Sequence, residues 1–215
     1  MKLIKLSLVA ALAATVTFAT DFKDVGVSAN VAMTSNYVWR GMTQTDDNVA
    51  TQGGFDLDYK GTYIGIWGSG VNGGQEVDVY VGYANEIDKL SYDLGFIQYA
   101  YPNQVEAANF GEVYLGLGYD LEVASLSAKY SLGVETDDTI PEDYIEVAVE
   151  APVAEGFSVA AHYGVYTNVG SDYSVGVSKS LGKIDFDLSY VGFTADDDTN
   201  SDDQDNIVLT VGTSF

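Results

Sequence analysis

The side chains of this sequence that could do chemistry are mostly carboxylates, and they have few basic partners. The 215 residues include 32 Asp and Glu against 9 Lys and Arg, one histidine, His162, and no cysteine. A hydrolase needs a nucleophile presented to a general base, and no Gly-x-Ser-x-Gly turn is present to do so. Ser158 near His162 therefore indicates hydrolysis only weakly. We predict that the protein is not an enzyme, that it has no cofactor or metal centre, and that His162 is a pore or core residue.

Ten acidic residues fall on alternate positions of strand-like segments, opposite the apolar positions. They are Asp56, Asp58, Asp78, Asp93, Glu112, Asp120, Glu146, Glu150, Asp185 and Asp187. Only Lys129 and Arg40 oppose them. Carboxylates around a narrow pore attract cations, because low-dielectric walls focus the field. Burying ten unpaired carboxylates away from water would cost too much free energy, so their number favours a water-filled lumen that they line. The alternative is a plugged interior in which they pair with the two bases and with tyrosine hydroxyls.

One loop resembles a calcium-binding loop at first sight. Asp196, Asp198, Asn200 and Asp202 occupy its first, third, fifth and seventh positions, but Ser201 replaces the turn glycine and Ile207 the bidentate glutamate. We interpret this segment as a solvated acidic loop. Weak Ca²⁺ or Mg²⁺ binding at an outer surface, where such ions bridge lipopolysaccharide, stays open as an alternative.

The elements that carry these side chains show a period of two, which is typical of strands with one apolar face. Eleven such segments precede a twelfth, Ile207–Phe215, which ends on an aromatic residue. The eleven are 25–39, 49–59, 62–71, 76–87, 90–101, 110–121, 124–134, 143–151, 157–166, 172–181 and 183–193. No convincing helical period appears after residue 19.

The strands are too long and too clearly two-faced for a soluble sandwich. Most span about 10–12 residues, as a tilted membrane-spanning strand requires, whereas strands of soluble proteins average about 5–6. One face is apolar and the other small, hydroxyl-bearing or acidic, as expected for lipid outside and a polar lumen inside. We predict an all-β fold, a closed antiparallel transmembrane β-barrel of about 12 strands, with ten or fourteen as alternatives.

The connections alternate in length, as in outer-membrane barrels with short periplasmic turns and longer acidic extracellular loops. The predicted tight turns are 60–61, 88–89, 122–123, 152–156 and 182, and the predicted loops are 41–48, 102–109, 135–142, 167–171 and 195–205. One connection, 72–75, is short where a long loop is expected. Six tyrosines on the apolar parity suit an interfacial belt: Tyr59, Tyr83, Tyr119, Tyr163, Tyr173 and Tyr190.

The first 19 residues have the layout of a secretory signal peptide, with a basic start, an apolar run and a small residue at Ala19. Residues 20–215 then form the barrel. Without Lys2 and Lys5, 7 basic and 32 acidic residues remain, a net charge of about −25, which excludes nucleic acid as a partner. The expected partners are outer-membrane lipid and lipopolysaccharide, small hydrophilic solutes, and the barrel assembly machinery through the strand ending at Phe215. A homo-oligomer is compatible with the sequence.

One segment carries more specific information. Ser35-Asn-Tyr-Val-Trp-Arg-Gly-Met-Thr-Gln-Thr45 is followed by Gln52-Gly-Gly-Phe-Asp56 and Gly65-Ile-Trp-Gly-Ser69. Residues 34–70 resemble the TorF family of exported, porin-like proteins, whose hallmark is an S-N-Y-x-x-R-G-x-x-Q-T stretch. The resemblance implies an outer-membrane barrel in a Gram-negative cell and a pore role, without a substrate. Arg40 in this motif is interpreted as an inner pairing partner that locks the first strand to its neighbours.

Two functions follow from these expectations. The first is a porin-like channel that conducts small cationic or neutral hydrophilic solutes through an acidic lumen. The alternative is a plugged structural or interaction barrel that acts through its acidic loops, because inward Tyr80, Tyr114 and Tyr166 could close a lumen of this size.

Overall fold

The protein is a closed antiparallel β-barrel of twelve strands. The computed structural model describes residues 14–15, 25–102, 109–135, 140–197 and 202–215. The strands are β1 Val25–Thr34, β2 Ala50–Tyr59, β3 Thr62–Val71, β4 Gly74–Ile87, β5 Leu90–Ala100, β6 Phe110–Asp120, β7 Ser125–Val134, β8 Tyr144–Pro152, β9 Phe157–Tyr166, β10 Gly170–Leu181, β11 Ile184–Ala195 and β12 Gln204–Ser214. The predicted number of strands is confirmed.

Each strand pairs with the next along the chain, and β1 pairs with both β2 and β12. The last pairing closes the cylinder through Asn30–Thr34 and Thr210–Ser214. Phe215 and Ala29 then exchange two backbone hydrogen bonds, of 2.8 and 3.1 Å. The two-residue strand Ala14–Thr15 pairs with Ser28 and Ala29 of β1, next to the residues that pair with β12. The predicted signal peptide lies otherwise outside the described residues and stays a prediction.

The two faces of the wall follow the predicted alternation. Outward positions are apolar and partly exposed, as at Leu188 and Leu209, which are both 48 % exposed. Inward positions are small or polar. The six belt tyrosines all point outward, and Tyr173 and Tyr190 place their hydroxyls 3.3 and 2.6 Å from a carboxylate oxygen of Asp205. A ring buried in the apolar layer with its hydroxyl at a polar group is the arrangement an interfacial belt requires.

The connections differ between the two ends of the barrel. Short turns at 60–61, 88–89, 121–124, 153–156 and 182–183 form one end, hereafter the short-turn end. The other, long-loop end carries 35–49, 101–109, 135–143 and 196–203, together with the brief connections 72–73 and 167–169. Asp198, Asn200 and Ser201 of the predicted acidic loop lie outside the described residues. Within the described part of the chain no helix is long and apolar enough to span a membrane.

Strand bounds agree with the predicted segments within three residues, with one exception. The first strand was predicted to reach Trp39, but it ends at Thr34. Val38–Trp39 and Met42–Thr43 instead form a separate two-stranded hairpin. The prediction was wrong because alternation continues through these residues, and alternation alone cannot distinguish a wall strand facing lipid from a hairpin folded into the interior.

The outward face contacts lipid and the inward face contacts water. The same substitution at two adjacent residues should therefore change the free energy of unfolding by different amounts. Leu188→Arg in the middle of β11 should lower the free energy of unfolding in lipid vesicles by about 2–4 kcal/mol, because the charge enters the apolar layer. Ser189→Arg, on the polar face and next to Asp187, should change it by under about 1 kcal/mol. Equal losses in urea unfolding titrations would contradict this assignment of faces.

Candidate functional site

The most unusual feature of the barrel is the first connection, residues 35–49, which we call the strap. It leaves the wall after Thr34, crosses the lumen at the long-loop end and returns to β2. Arg40 and Gly41 form the two-residue turn of its hairpin, with φ values of +47° and +79°, as a type I′ turn requires. A Cβ atom at Gly41 would lie 2.7 Å from Cβ of Asp172 on β10 and 2.9 Å from the Gly192 carbonyl oxygen on β11. Glycine therefore allows both the turn and the contact with the opposite wall.

The Arg40 guanidinium is the centre of the strap's contacts. Its Nη2 donates to both carboxylate oxygens of Glu112 on β6, at 2.7 and 2.8 Å. Glu112 is fully buried, with 0 % of its surface exposed. The guanidinium carbon also lies 4.2 Å from the ring centroid of Trp39 and 4.1 Å from that of Tyr144. Because both charges are out of water, each depends on the other.

Aromatic packing holds the rest of the hairpin against β5, β6 and β9. The Trp39 ring lies 5.9 Å from Tyr99, 5.9 Å from Phe110 and 5.8 Å from Tyr166, measured between ring centroids. Such edge and tilted contacts add to the burial of apolar area. Trp39 thus fills the lumen beside the ion pair.

Tyr37 extends the strap's contacts to β3 and β4. Its ring packs edge-on against Trp67, with centroids 5.6 Å apart, and its hydroxyl donates to Glu76 at 2.8 Å. Burial raises the pKa of the Tyr37 phenol well above its usual value, and the negative charge of Glu76 raises it further. The phenol therefore stays a proton donor to Glu76 over the physiological pH range.

Two polar contacts attach the strap to β12. The Thr43 backbone N–H donates to Oε1 of Gln204 at 2.8 Å, and the Asn36 side chain donates to Oδ1 of Asn206 at 3.0 Å. With Glu112, Asp172 and Glu76, these partners lie on walls all around the lumen. The strap is therefore held on every side.

A cavity of about 590 Å³ lies on the side of the strap that faces the short-turn end, mainly along β7 to β12. Of the predicted pore-lining residues, it is bordered by Arg40, Lys129, Glu146, Glu150, His162, Asp185 and Asp187. Serines and small residues of the same strands complete its wall. Each of the strand-borne side chains among them reaches the lumen because it stands on the inward parity of its strand.

The other predicted acids do not border this cavity, so the ten do not form one ring. Asp56 accepts a hydrogen bond from Tyr80, and Asp93 accepts one of 2.6 Å from Tyr63. The Tyr63 hydroxyl also contacts that of Tyr114. This tyrosine–carboxylate layer packs the lumen along β2 to β6.

Asp78, Asp58 and Asp120 have three different environments. Asp78 is buried close to the strap, and its Oδ1 has no hydrogen-bond partner among the described residues. Asp58 is exposed near the short-turn end. Asp120 accepts a 2.6 Å hydrogen bond from the Glu122 backbone N–H and so supports a turn.

His162 belongs to a polar cluster at the edge of the cavity. Its Nε2 lies 2.6 Å from Oδ1 of Asp172 and 3.1 Å from the Tyr144 hydroxyl, and its Nδ1 lies 3.5 Å from Oε2 of Glu146. The Tyr144 hydroxyl also donates to Asp172 at 2.8 Å. None of the hydrogen bonds of His162 within the described ranges reaches a serine. In that part of the chain, no group of three His, Asp or Glu side chains is placed to hold a metal ion.

Sequence reasoning missed Asp172 and Glu76, which are only 3 and 2 % exposed. Both stand on the inward parity of their strands, so alternation could have indicated their direction. Nothing in the sequence signalled that the strap would bury them.

Comparison with known proteins adds the family. The model of Gcw_chp, described as a bacterial protein of unknown function, matches residues 19–215. The chain belongs to the Gcw_chp family. The TorF name suggested by the motif is not part of that match. A comparison with curated protein sequences finds no match.

Several solved outer-membrane proteins have a similar fold to this Gcw_chp protein. The KdgM porin has a TM-score of 0.64 and 9 % identity over 87 % of this chain and 98 % of its own. The NanC porin has a TM-score of 0.55 and 12 % identity over 88 and 98 %. Outer membrane phospholipase A from Escherichia coli, in an active-site mutant form, has a TM-score of 0.57 and 8 % identity over 86 and 89 %. At these identities the similarity is one of fold.

The Arg40–Glu112 pair generates a stability prediction. Arg40→Met leaves Glu112 buried without a counter-charge and should lower the free energy of unfolding of the Gcw_chp barrel by about 3–5 kcal/mol. Adding Glu112→Leu to Arg40→Met should recover much of this loss, because no charge then stays buried. Urea unfolding of both variants in detergent or lipid measures the difference.

The exposed pair Lys89–Glu122 is the matched control, since its side chains are 45 and 75 % exposed. Lys89→Met should cost about 0–1 kcal/mol. Equal costs for Arg40→Met and Lys89→Met, or losses from Arg40→Met and Glu112→Leu that simply add, would contradict a buried, mutually dependent pair.

Proposed function

We propose that this Gcw_chp protein is a passive outer-membrane channel for small hydrophilic solutes, cationic or neutral. The observation that carries the proposal is the cavity of about 590 Å³ inside a closed barrel whose outer surface is apolar. Its wall is hydroxyl-rich and acidic. The hydroxyls come from Ser125, Ser127, Ser158, Ser174, Ser178, Ser180 and Ser189.

The charge of the cavity supports a preference for cations. Five acids border it, Glu146, Glu150, Asp172, Asp185 and Asp187. The three bases on its border are Lys129, an Arg40 already paired with Glu112, and Lys179, whose ammonium lies over the Phe157 ring. All of these acids except the buried Asp172 are partly accessible to water. The resulting negative potential raises the local concentration of cations and lowers that of anions.

The similar porins support the channel role but not their own substrates. One KdgM structure, with a TM-score of 0.59 and 9 % identity, is described as a complex with disordered oligogalacturonate. Oligogalacturonate carries a carboxylate on each sugar unit. An acidic cavity repels such a polyanion, so the fold likeness does not extend to this solute.

The orientation follows from the two ends. In the proposed arrangement the short-turn end faces the periplasm and the strap lies at the extracellular mouth, as is usual for outer-membrane barrels. The apolar outer face contacts lipid and lipopolysaccharide. The strand that ends at Phe215, which closes the barrel against β1, is the segment we propose for recognition by the assembly machinery.

A second candidate function is a plugged interaction barrel. The observation that favours it is the strap, which contacts walls around the whole lumen at its long-loop end. In that case the acidic loops would be the working surface and the cavity would conduct nothing.

Conductance of the purified mature protein in planar bilayers separates the two. We expect discrete conductance steps, and a reversal potential in a KCl gradient that indicates preference for K⁺ over Cl⁻. The double variant Asp185→Asn with Asp187→Asn should weaken that preference because it removes two charges from the cavity wall. Raising the salt concentration should weaken it as well.

Asp56→Asn is the matched control, because it removes one inward carboxylate that is bonded to Tyr80 and does not border the cavity. It should leave the reversal potential close to that of the wild type. A folded barrel without any conductance would contradict the channel proposal and favour the interaction barrel. Anion preference, or a larger effect of Asp56→Asn than of the double variant, would contradict the acidic cavity as the conducting path.

A further inference from the structure

We propose that the strap is a gate that moves as a unit and that the Arg40–Glu112 pair is its latch, an inference that rests on the proposed channel function. In the structure the strap lies between the long-loop end and the cavity. It contacts Glu76 on β4, Glu112 on β6 and Gln204 on β12, and its tip approaches Asp172 on β10. In this proposal a solute that enters from that end reaches the cavity when the strap is displaced.

The strap has the internal bonds of a unit that could move without unfolding. Oδ1 of Asn36 accepts hydrogen bonds from the Thr43 hydroxyl at 2.6 Å and the Thr45 hydroxyl at 2.9 Å. The Gln44 backbone N–H donates to the Tyr37 carbonyl oxygen at 2.7 Å. These bonds join the two arms of the hairpin to each other, and they need no partner on the barrel wall. Displacement would therefore preserve them.

The polar contacts between strap and wall are of a kind that water can replace. Arg40–Glu112, Tyr37–Glu76 and Thr43–Gln204 all join polar groups, which regain hydration when they separate. A buried ion pair offsets much of its attraction by the loss of hydration, so the net cost of separating the pair into water is modest. The rings of Trp39 and Tyr37, packed against the wall, provide the apolar part of the closed state. The gate proposal requires the closed and displaced states to be close in free energy, so that both are populated.

The tip of the strap, Gly41, lies against Asp172 on β10, which we call the seat. The Asp172 side chain is held in place by neighbouring wall residues. Asp172 is held by His162 at 2.6 Å and by Tyr144 at 2.8 Å, and Tyr144 also stacks on the Arg40 guanidinium. The seat and the latch therefore share Tyr144 as a neighbour. Gly41 lies against the Cβ of Asp172, so a cross-link at this point would hold the tip closed.

The natural chain contains no cysteine. Two introduced cysteines can therefore form a reversible disulfide without competing thiols. The double variant is Gly41→Cys with Asp172→Cys. A Cβ atom added to Gly41 lies 2.7 Å from the Cβ of residue 172. A disulfide places them about 3.8 Å apart, so the tip must shift by about 1 Å. The added Cβ must also move away from the Phe193 Cβ and the Gly192 carbonyl oxygen, at 2.8 and 2.9 Å, so the reduced double variant is the reference for the oxidised one. Oxidation should reduce the bilayer conductance to the background level, and a thiol reductant should restore it. Each single-cysteine variant should conduct equally with and without oxidant.

The opposite change loosens the latch. Glu112→Gln keeps the shape of the side chain and removes its charge, and we expect the open probability to rise by about tenfold, since each 1.4 kcal/mol taken from the closed state is a factor of ten. A deletion of residues 37–44, with retained heat-modifiable migration on gels as the check of folding, should conduct without closures. Glu122→Gln, in the exposed pair at the short-turn end, should leave gating unchanged.

The outcomes separate the gate from the channel. If the wild type conducts and the cross-linked variant conducts equally, the strap is a static constriction and the gate is wrong. If wild-type gating is unaffected by Glu112→Gln, the latch is wrong. If neither the wild type nor the folded strap deletion conducts, the proposed channel function itself fails. Conductance only after strap deletion, with a silent wild type, would identify the strap as a fixed plug and overturn the gate. A wild type that conducts, with more frequent openings in Glu112→Gln and no closures in the strap deletion, would support the gate and the channel together.

Discussion

The structure depends on one constraint, which is that every backbone N–H and C=O group facing lipid must find its partner within the protein. A sheet satisfies this only when its last strand pairs with its first. Here five residue pairs between β1 and β12 and the two hydrogen bonds of Phe215 with Ala29 complete the circle. Closure creates an interior. The inward side chains and the strap are arranged to fill it or to line it.

The interior is divided into a packed half and an open half. Along β2 to β6, tyrosine hydroxyls donate hydrogen bonds to Asp56 and Asp93. The tyrosine rings have room because the neighbouring strands carry glycine beneath them; a Cβ at Gly82 would collide with Tyr63, and one at Gly95 with Tyr114. Along β7 to β12, on the short-turn side of the strap, the inward residues are mainly serines, small residues and acids. The inward residues of β2 to β6 therefore pack against each other, whereas those of β7 to β12 line a cavity, although both halves show the same alternation.

The strap connects the two halves, and it shows where local sequence reasoning was right and where it was wrong. Arg40 was interpreted as an internal pairing partner, and it does pair internally with Glu112. The same interpretation has Arg40 lock the first strand to its neighbours, whereas it forms the turn of a separate hairpin and pairs with β6, which does not neighbour β1. A single pore-lining role is predicted for the ten acids, yet their environments range from the cavity wall to the tyrosine layer and a turn. Parity identifies the face of a residue but carries no information about what occupies the space in front of it.

The sequence by itself determined the number of strands, their bounds to within three residues except at the end of the first strand, the outward direction of the six belt tyrosines and the polar character of the inner face. These follow from alternation and length, which are properties of neighbouring residues and of the thickness of a bilayer. Only the tertiary structure decided that residues 35–49 cross the lumen, that Arg40 meets a residue 72 positions away, and that Asp172 supports the strap's tip. Such contacts arise from closing the barrel, because closure brings together strands that are remote in the chain, and no local pattern encodes their distance.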